Sequence, residues 1–277
     1  MQRRPRTPAR TGSVDRQDML ARVLVAIPAG AIAIGLIAAG GHIFAAGLAL
    51  LGLICLHELF RMFDHARPSR LAGMVGLVAV VAAASLGDEN TVLLVFMATI
   101  PVVFLLVAFQ AGGGGAPGIS VTMLGITWVG LALAHAVLLR DLDHGAALVV
   151  AVALGTFIGD TGAYVGGRWF GRTKLAPAIS PNKTVEGLVI GLLTCVLVVW
   201  WIGLSYDDWL GGTKGALLGL AIGIAAPLGD LFESYLKRDS GVKDSGTMFG
   251  AHGGALDRID AVMFAVVTTF YVWQWLV

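Results

Sequence analysis

Residues Ser234–Asp260 read SYLKRDSGVKDSGTMFGAHGGALDRID and join two long apolar runs, 214–235 and 257–276. Eight charges fall in these 27 residues: Lys237, Arg238, Asp239, Lys243, Asp244, Asp257, Arg258 and Asp260. Only 13% of the whole chain is charged, so the clustering calls for a reason. A solvated loop between helices is the plain reading, but the charge continues into the next apolar run at Asp257 and Asp260. Phosphates with divalent cations need such a mixture, because carboxylates hold the metal while Lys and Arg neutralise phosphate oxygens. Gly253-Gly254 before the apolar run suits a tight turn into a helix N-terminus, whose free N–H groups face an anion.

The flanking runs set the fold class. Hydrophobic residues make up 57% of the chain and the mean hydropathy is +0.81, far above the soluble range. Nine apolar stretches approach bilayer-spanning length: 20–39, 42–60, 71–87, 91–109, 121–139, 145–167, 185–205, 214–235 and 257–276. The expectation is an all-α polytopic membrane protein with about nine transmembrane helices. A porin-like barrel would show alternating segments of about ten residues instead. Residues 1–19 read as a disordered basic tail, 20–140 as N-terminal transmembrane helices and 141–277 as the C-terminal catalytic region. The first apolar run has no small-residue cleavage site and is read as a retained helix. Cys55 and Cys195 both lie in apolar runs and read as buried thiols, not as a disulfide or metal pair.

Lys and Arg fix the orientation. With the N-terminus in the cytoplasm, 17 basic residues fall on the cytoplasmic side and only Arg140 and Lys214 outside. The outer connections are acidic, at Asp88-Glu89, Asp141 with Asp143, and Asp207-Asp208. The 236–256 connection and a second polar loop, 166–184, then share the side on which nucleotides are found.

Just ahead of that second loop, Asp160 lies inside an apolar run, an expensive place for a carboxylate. Tyr164 follows four residues later on the same helical face. Arg168, Arg172, Lys174 and Lys183 come next, and Ser180-Pro181-Asn182-Lys183-Thr184 leads towards Glu186. A Pro-led helix start with Ser180, Lys183 and Thr184 is a candidate phosphate cradle, against the alternative of an ordinary basic loop. Asp230 and Glu233, three apart, end one run, while Asp257 and Asp260, three apart, begin the next. Two such pairs can clamp a cation, and oxygen ligands suit Mg²⁺ or Mn²⁺ over zinc. The alternative is a set of helix-end carboxylates. His57-Glu58 is a weaker feature, a polar patch or simply a packed helix end.

The fixed residues of the first stretch, Ser234, Leu236, Lys237, Arg238, Lys243, Asp244, His252, Gly253, Gly254, Asp257, Arg258 and Asp260, closely resemble the signature of the phosphatidate cytidylyltransferases. Ala255 stands where that family usually carries a larger apolar residue. The second loop resembles another block of the same family, through Asp160, Ala163, Tyr164, Gly171, Arg172, Ser180, Pro181, Lys183, Thr184, Glu186 and Gly187, with Asn182 where many members carry Lys. The resemblance is strong over about 155–277; before that it rests on Arg22 and Glu58. It implies a cell-membrane enzyme, active site to the cytoplasm, that joins CTP and phosphatidic acid into CDP-diacylglycerol and pyrophosphate. It implies Asp230 and Asp257 as metal ligands; Asp160, Asp260 or Glu233 are then expected to support that site or hold a second cation. Lys237, Arg238, Lys243 and Asp244 join the catalytic set. Ser180, Lys183, Thr184, Tyr164, Arg168, His252, Gly253, Gly254 and Arg258 join the substrate-binding set. The expected partners are CTP, membrane lipid and a second copy of the chain as a homodimer, with no nucleic acid. The rivals are a CTP-dependent polyprenol kinase and an ion-coupled transporter. Charge at the helix ends, away from the bilayer midplane, argues against the transporter.

Overall fold

A computed structural model describes residues 16–109, 114–246 and 253–277, with side chains from Ile27 onward. The helices are α1 (Arg16–Ala39), α2 (Gly41–Met62), α3 (Arg70–Leu86), α4 (Glu89–Phe109), α5 (Gly115–Gly125), α6 (Leu131–Asp141), α7 (Gly145–Phe170), α8 (Val185–Ser205), α9 (Gly211–Asp239) and α10 (Leu256–Leu276). A single π turn, Ile126–Gly130, joins α5 to α6 in one continuous stretch. Each of the nine apolar stretches read from sequence falls on one helical stretch.

Among the described residues, seven stretches are long and apolar enough to cross a membrane: α2, α4, α5 through α6, and α7 to α10. The 17 residues of α3 reach about 25 Å at 1.5 Å per residue, short of the roughly 30 Å hydrocarbon layer. Ile27–Ala39 of α1 is also a shorter apolar helix.

Leu36–Val277 forms one compact unit. Within it α5–α6 is central and mostly buried, whereas α4 is peripheral and mostly exposed. Leu56, Phe60, Leu77 and Ile126 fill the core around α2, α3 and the π turn, while Leu94 and Phe109 on α4 point outward. Outward apolar side chains are what a helix presents when its solvent is lipid. In the first turn of α4, Thr91 donates its backbone N–H (2.9 Å) and hydroxyl (2.8 Å) to Asp88 in the preceding connection. These bonds cap the helix and hold the Asp88 carboxyl below its ordinary pKa.

Among the described residues, the fold departs from all-α at one place, which the sequence reading assigned to a helix start. Lys174–Ala176 (β1) and Ser180–Thr184 (β2) pair antiparallel, with Lys174 opposite Thr184 and Ala176 opposite Ser180. Pro181 therefore sits in a strand, not in the first turn of α8. The helix begins one residue after Thr184, whose hydroxyl accepts from the Gly187 N–H at 3.1 Å as an N-cap.

Candidate active site

Three helices meet closely because small residues line their contacts. A Cβ on Gly187 would lie 2.7 Å from the Ala163 carbonyl oxygen, and one on Gly191 would lie 2.9 Å from that of Gly159. Only glycine lets α8 run this near the α7 backbone. Beside this contact lies a cavity of about 520 Å³, walled by α7, β2, α8 and α9. Asp160, Tyr164 and Arg168 enter it from α7, Asn182 and Lys183 from β2, and Asp230 from α9. Its far wall is small and apolar, with Gly155, Cys195 and Gly223. The Lys183 Nζ pairs with Asp230 Oδ2, while the Ser234 hydroxyl donates to Asp230 Oδ1 at 3.3 Å. Asp160 lies within electrostatic reach of Asp230, Asp260 and Lys183. Arg168 donates to the Tyr164 hydroxyl at 3.3 Å.

The hairpin places Lys183, and it is tied at both ends. Glu186 accepts from the backbone N–H groups of Arg172 (3.0 Å) and Thr173 (3.1 Å), fixing its base. Arg238, at the end of α9, donates its Nε–H to the Ile179 carbonyl at the tip, 3.2 Å away. Sequence reasoning gave Arg238 to phosphate and Thr184 to substrate. Here the Arg238 Nε–H ties the hairpin to α9, and Thr184, whose hydroxyl accepts the helix-cap bond, also lines the cavity. Ser180 lies in β2, half-buried and outside the cavity lining.

A second polar group lies along the α9–α10 seam. A Cβ on Gly229 would stand 2.5 Å from the Asp260 carbonyl oxygen, so glycine there lets the two helices touch. Asp230, Glu233 and Lys237 share one face of α9. Lys237 donates to Glu233 Oε2 at 3.1 Å and to Asp257 Oδ1 at 2.7 Å. Asp257 Oδ2 also accepts from the N–H groups of Gly254 (2.7 Å) and Ser245 (3.1 Å). Glu233 and Asp260 are buried, with their carboxyl groups side by side. Glu233 Oε1 is buried with no hydrogen-bond partner.

Asp230 and Asp257 thus sit in adjoining networks, each held by its own lysine. Among the described residues no three His, Cys, Asp or Glu side chains gather closely enough to cage a metal. The donor chemistry nonetheless fits a hard cation. Five carboxylates, Asp160, Asp230, Glu233, Asp257 and Asp260, face two lysines, and one buried carboxylate oxygen has no donor. Lys243, Asp244 and Arg258 are exposed near the seam, Gly253 adopts φ +79° at the turn into α10, and His252 lies outside the described residues.

One acidic residue at this site was only a weak signal in the sequence. Glu58, near the end of α2, accepts from the backbone N–H groups of Ala255 (3.1 Å) and Leu256 (3.0 Å) and from the Ser245 hydroxyl (3.3 Å). A lone carboxylate in an apolar run hints at a polar partner. Nothing in the local sequence says that the partner is the start of the last helix.

Residues 20–276 match the cytidylyltransferase family, and the chain belongs to it. A phosphatidate cytidylyltransferase of Synechocystis is 34% identical over 90% of this chain and 94% of its own length. That of Staphylococcus haemolyticus is 31% identical over 90% and 96%, respectively. That of Haemophilus influenzae is 42% identical over 131 residues, 46% of each chain.

Proposed function

We propose that the protein is a phosphatidate cytidylyltransferase, converting CTP and phosphatidic acid to CDP-diacylglycerol and pyrophosphate. The carrying observation is the cavity that brings Asp160, Lys183 and Asp230 together in a chain of this family. An oxygen of the phosphatidate phosphate attacks the α-phosphorus of CTP, the α–β bridging P–O bond breaks, and pyrophosphate leaves. The nucleophile is already ionised near neutral pH, so no strong general base is needed. Charged groups at one end of the cavity suit the phosphates, and the small apolar wall suits the lipid. Asp230 and Asp257 would hold Mg²⁺ or Mn²⁺, with Asp160 and Asp260 beside a second cation. The bound metal supplies charge neutralisation at the phosphates. Lys183 and Lys237 keep these carboxylates compensated between turnovers, and their ammonium groups then shift to phosphate oxygens. Arg168 and Arg258 add positive charge, Gly253 and Gly254 form the turn into α10, and His252 is assigned to substrate binding by the family resemblance alone. Purified protein given labelled CTP, phosphatidic acid and Mg²⁺ should yield lipid-linked CMP. A phosphorylated lipid alcohol would mean a kinase, and absence of CTP turnover would favour the transporter.

The same reading has nine crossings, including α1 and α3, in the cytoplasmic membrane, with the N-terminus and site inside and the chain forming a homodimer. It is supported by the 17-to-2 split of basic residues. Support also comes from the contacts joining the end of α2, the hairpin and the α9–α10 connection at one end of the bundle. Asp143→Cys and Asp208→Cys should label with a membrane-impermeant thiol reagent from outside the cell. Background is low because Cys55 and Cys195 are buried. Labelling of both only from the cytoplasmic side would overturn the orientation.

A further inference from the structure

We infer that Glu58 is the positioning residue of this site: its carboxylate is the peg around which both ends of the 245–256 connection close, and it thereby holds Asp257 in place. The inference rests on the reading of Asp257 given above. Glu58 is 5% exposed, and its contacts lie 187 to 198 residues further along the chain. It takes one donor from the start of the connection, the Ser245 hydroxyl, and two from its end, the N–H groups of Ala255 and Leu256. Asp257 takes the complementary pair, the N–H groups of Ser245 and Gly254. The two carboxylates thus divide the free amides at the start of α10 between them. Ser245 bridges them, giving its hydroxyl to one and its N–H to the other.

Two glycines show how tightly the connection wraps this group. A Cβ on Gly246 would collide with Glu58 Oε1, and one on Gly254 with Glu58 Oε2. These positions have no side chain because the Glu58 carboxylate occupies the space one would need. Without Glu58, two buried amides lose their acceptor, and Asp257, which already accepts from the adjoining Gly254 N–H, is the carboxylate at hand to take them. Its oxygens would then turn from Lys237 and the α9 seam towards the helix end. Glu58 therefore acts through Asp257 and does not itself touch substrate.

Three variants test this. Glu58→Gln keeps size but places an amide donor against backbone donors. Glu58→Asp keeps the charge and shortens the reach by one methylene. Leu77→Ala, in the α2–α3 core, lowers stability away from the site. Hydrogen exchange of the 253–258 segment, read by mass spectrometry on purified protein without nucleotide or metal, is the first readout. Turnover with CTP and phosphatidic acid against Mg²⁺ is the second. Glu58→Gln is expected to exchange about tenfold faster or more at Ala255 and Leu256, and to lose about thirtyfold or more in kcat. Its KM for CTP should stay within about threefold. Leu77→Ala should match or exceed its loss of thermal stability yet keep the exchange of 253–258 and its kcat. The idea fails if Glu58→Gln keeps protection and kcat within about threefold of wild type. It also fails if Leu77→Ala loses kcat by the same factor. Should Glu58→Gln not accumulate in membranes, Glu58→Asp decides: intermediate protection supports the role, and wild-type protection with wild-type turnover overturns it. If the wild type does not turn over CTP and phosphatidic acid, the proposed function falls, while the exchange comparison still reports on Glu58.

Discussion

Asp257→Asn and Asp230→Asn should each lower turnover by roughly a thousandfold or more, equivalent to about 4 kcal/mol of transition-state stabilisation. An amide keeps the size of the side chain and removes the charge that binds a hard cation. The two variants reach this loss by different routes. At position 257 the carboxylate receives Lys237, Gly254 and Ser245, so an asparagine must turn its NH₂ towards one of these donors. Its loss combines metal binding with a loosened connection. At position 230 the contacts are Lys183 and the Ser234 hydroxyl, and the local backbone belongs to α9. Asp230→Asn should therefore leave folding nearly intact. The check is turnover against Mg²⁺ concentration for wild type and both variants, with membrane abundance as the folding control. If either variant keeps more than about a tenth of wild-type turnover with an unchanged Mg²⁺ midpoint, that residue is not a metal ligand. The site would then be rebuilt around Asp160 and Asp260.

The second large effect separates two cations that the sequence treats alike. Lys183→Ala should cost about a hundredfold in kcat/KM, with a higher KM for CTP or phosphatidate. Lys183 lines the cavity and faces Asp230, so its removal leaves a carboxylate uncompensated and a phosphate without a partner. Arg238→Ala should cost only about tenfold. Arg238 is exposed and its bond goes to the Ile179 carbonyl at the hairpin tip, a net contribution of about 1 kcal/mol. Lys183→Arg should recover part of the loss. Steady-state kinetics with each substrate varied in turn decide the matter. A larger loss for Arg238→Ala would show that Arg238 works at phosphate and that the hairpin does not depend on it.

The helices could be read from the chain because a bilayer demands long apolar segments and punishes charge within them. Asp160, Tyr164, Lys183 and Asp230 could also be read as one site. Helical spacing and the match of two polar blocks point to them, and the cavity gathers them. The hairpin could not be read. Lys174–Ala176 and Ser180–Thr184 are too short to show alternation, and Pro181 resembles a helix start. The tie from Arg238 to the hairpin could not be read either, because its partner is a backbone carbonyl, which leaves no mark in sequence. Glu58 was undervalued for the same reason, since two of its three donors are main-chain amides.

The span between Glu58 and its partners also has a consequence in time. Ala255 is 197 residues downstream of Glu58. At about 5–20 residues per second, a ribosome needs about 10–40 s to make that interval. Throughout it, α2 already holds its acidic group while the acceptor's partners do not yet exist. Glu58 lies four residues before the last residue of α2, so it can wait near the membrane surface, in contact with water, until α10 is made. Closure of the catalytic end is thus a late step in biogenesis. A chain that ends before residue 255 has the Glu58 carboxylate without either of its two main-chain donors.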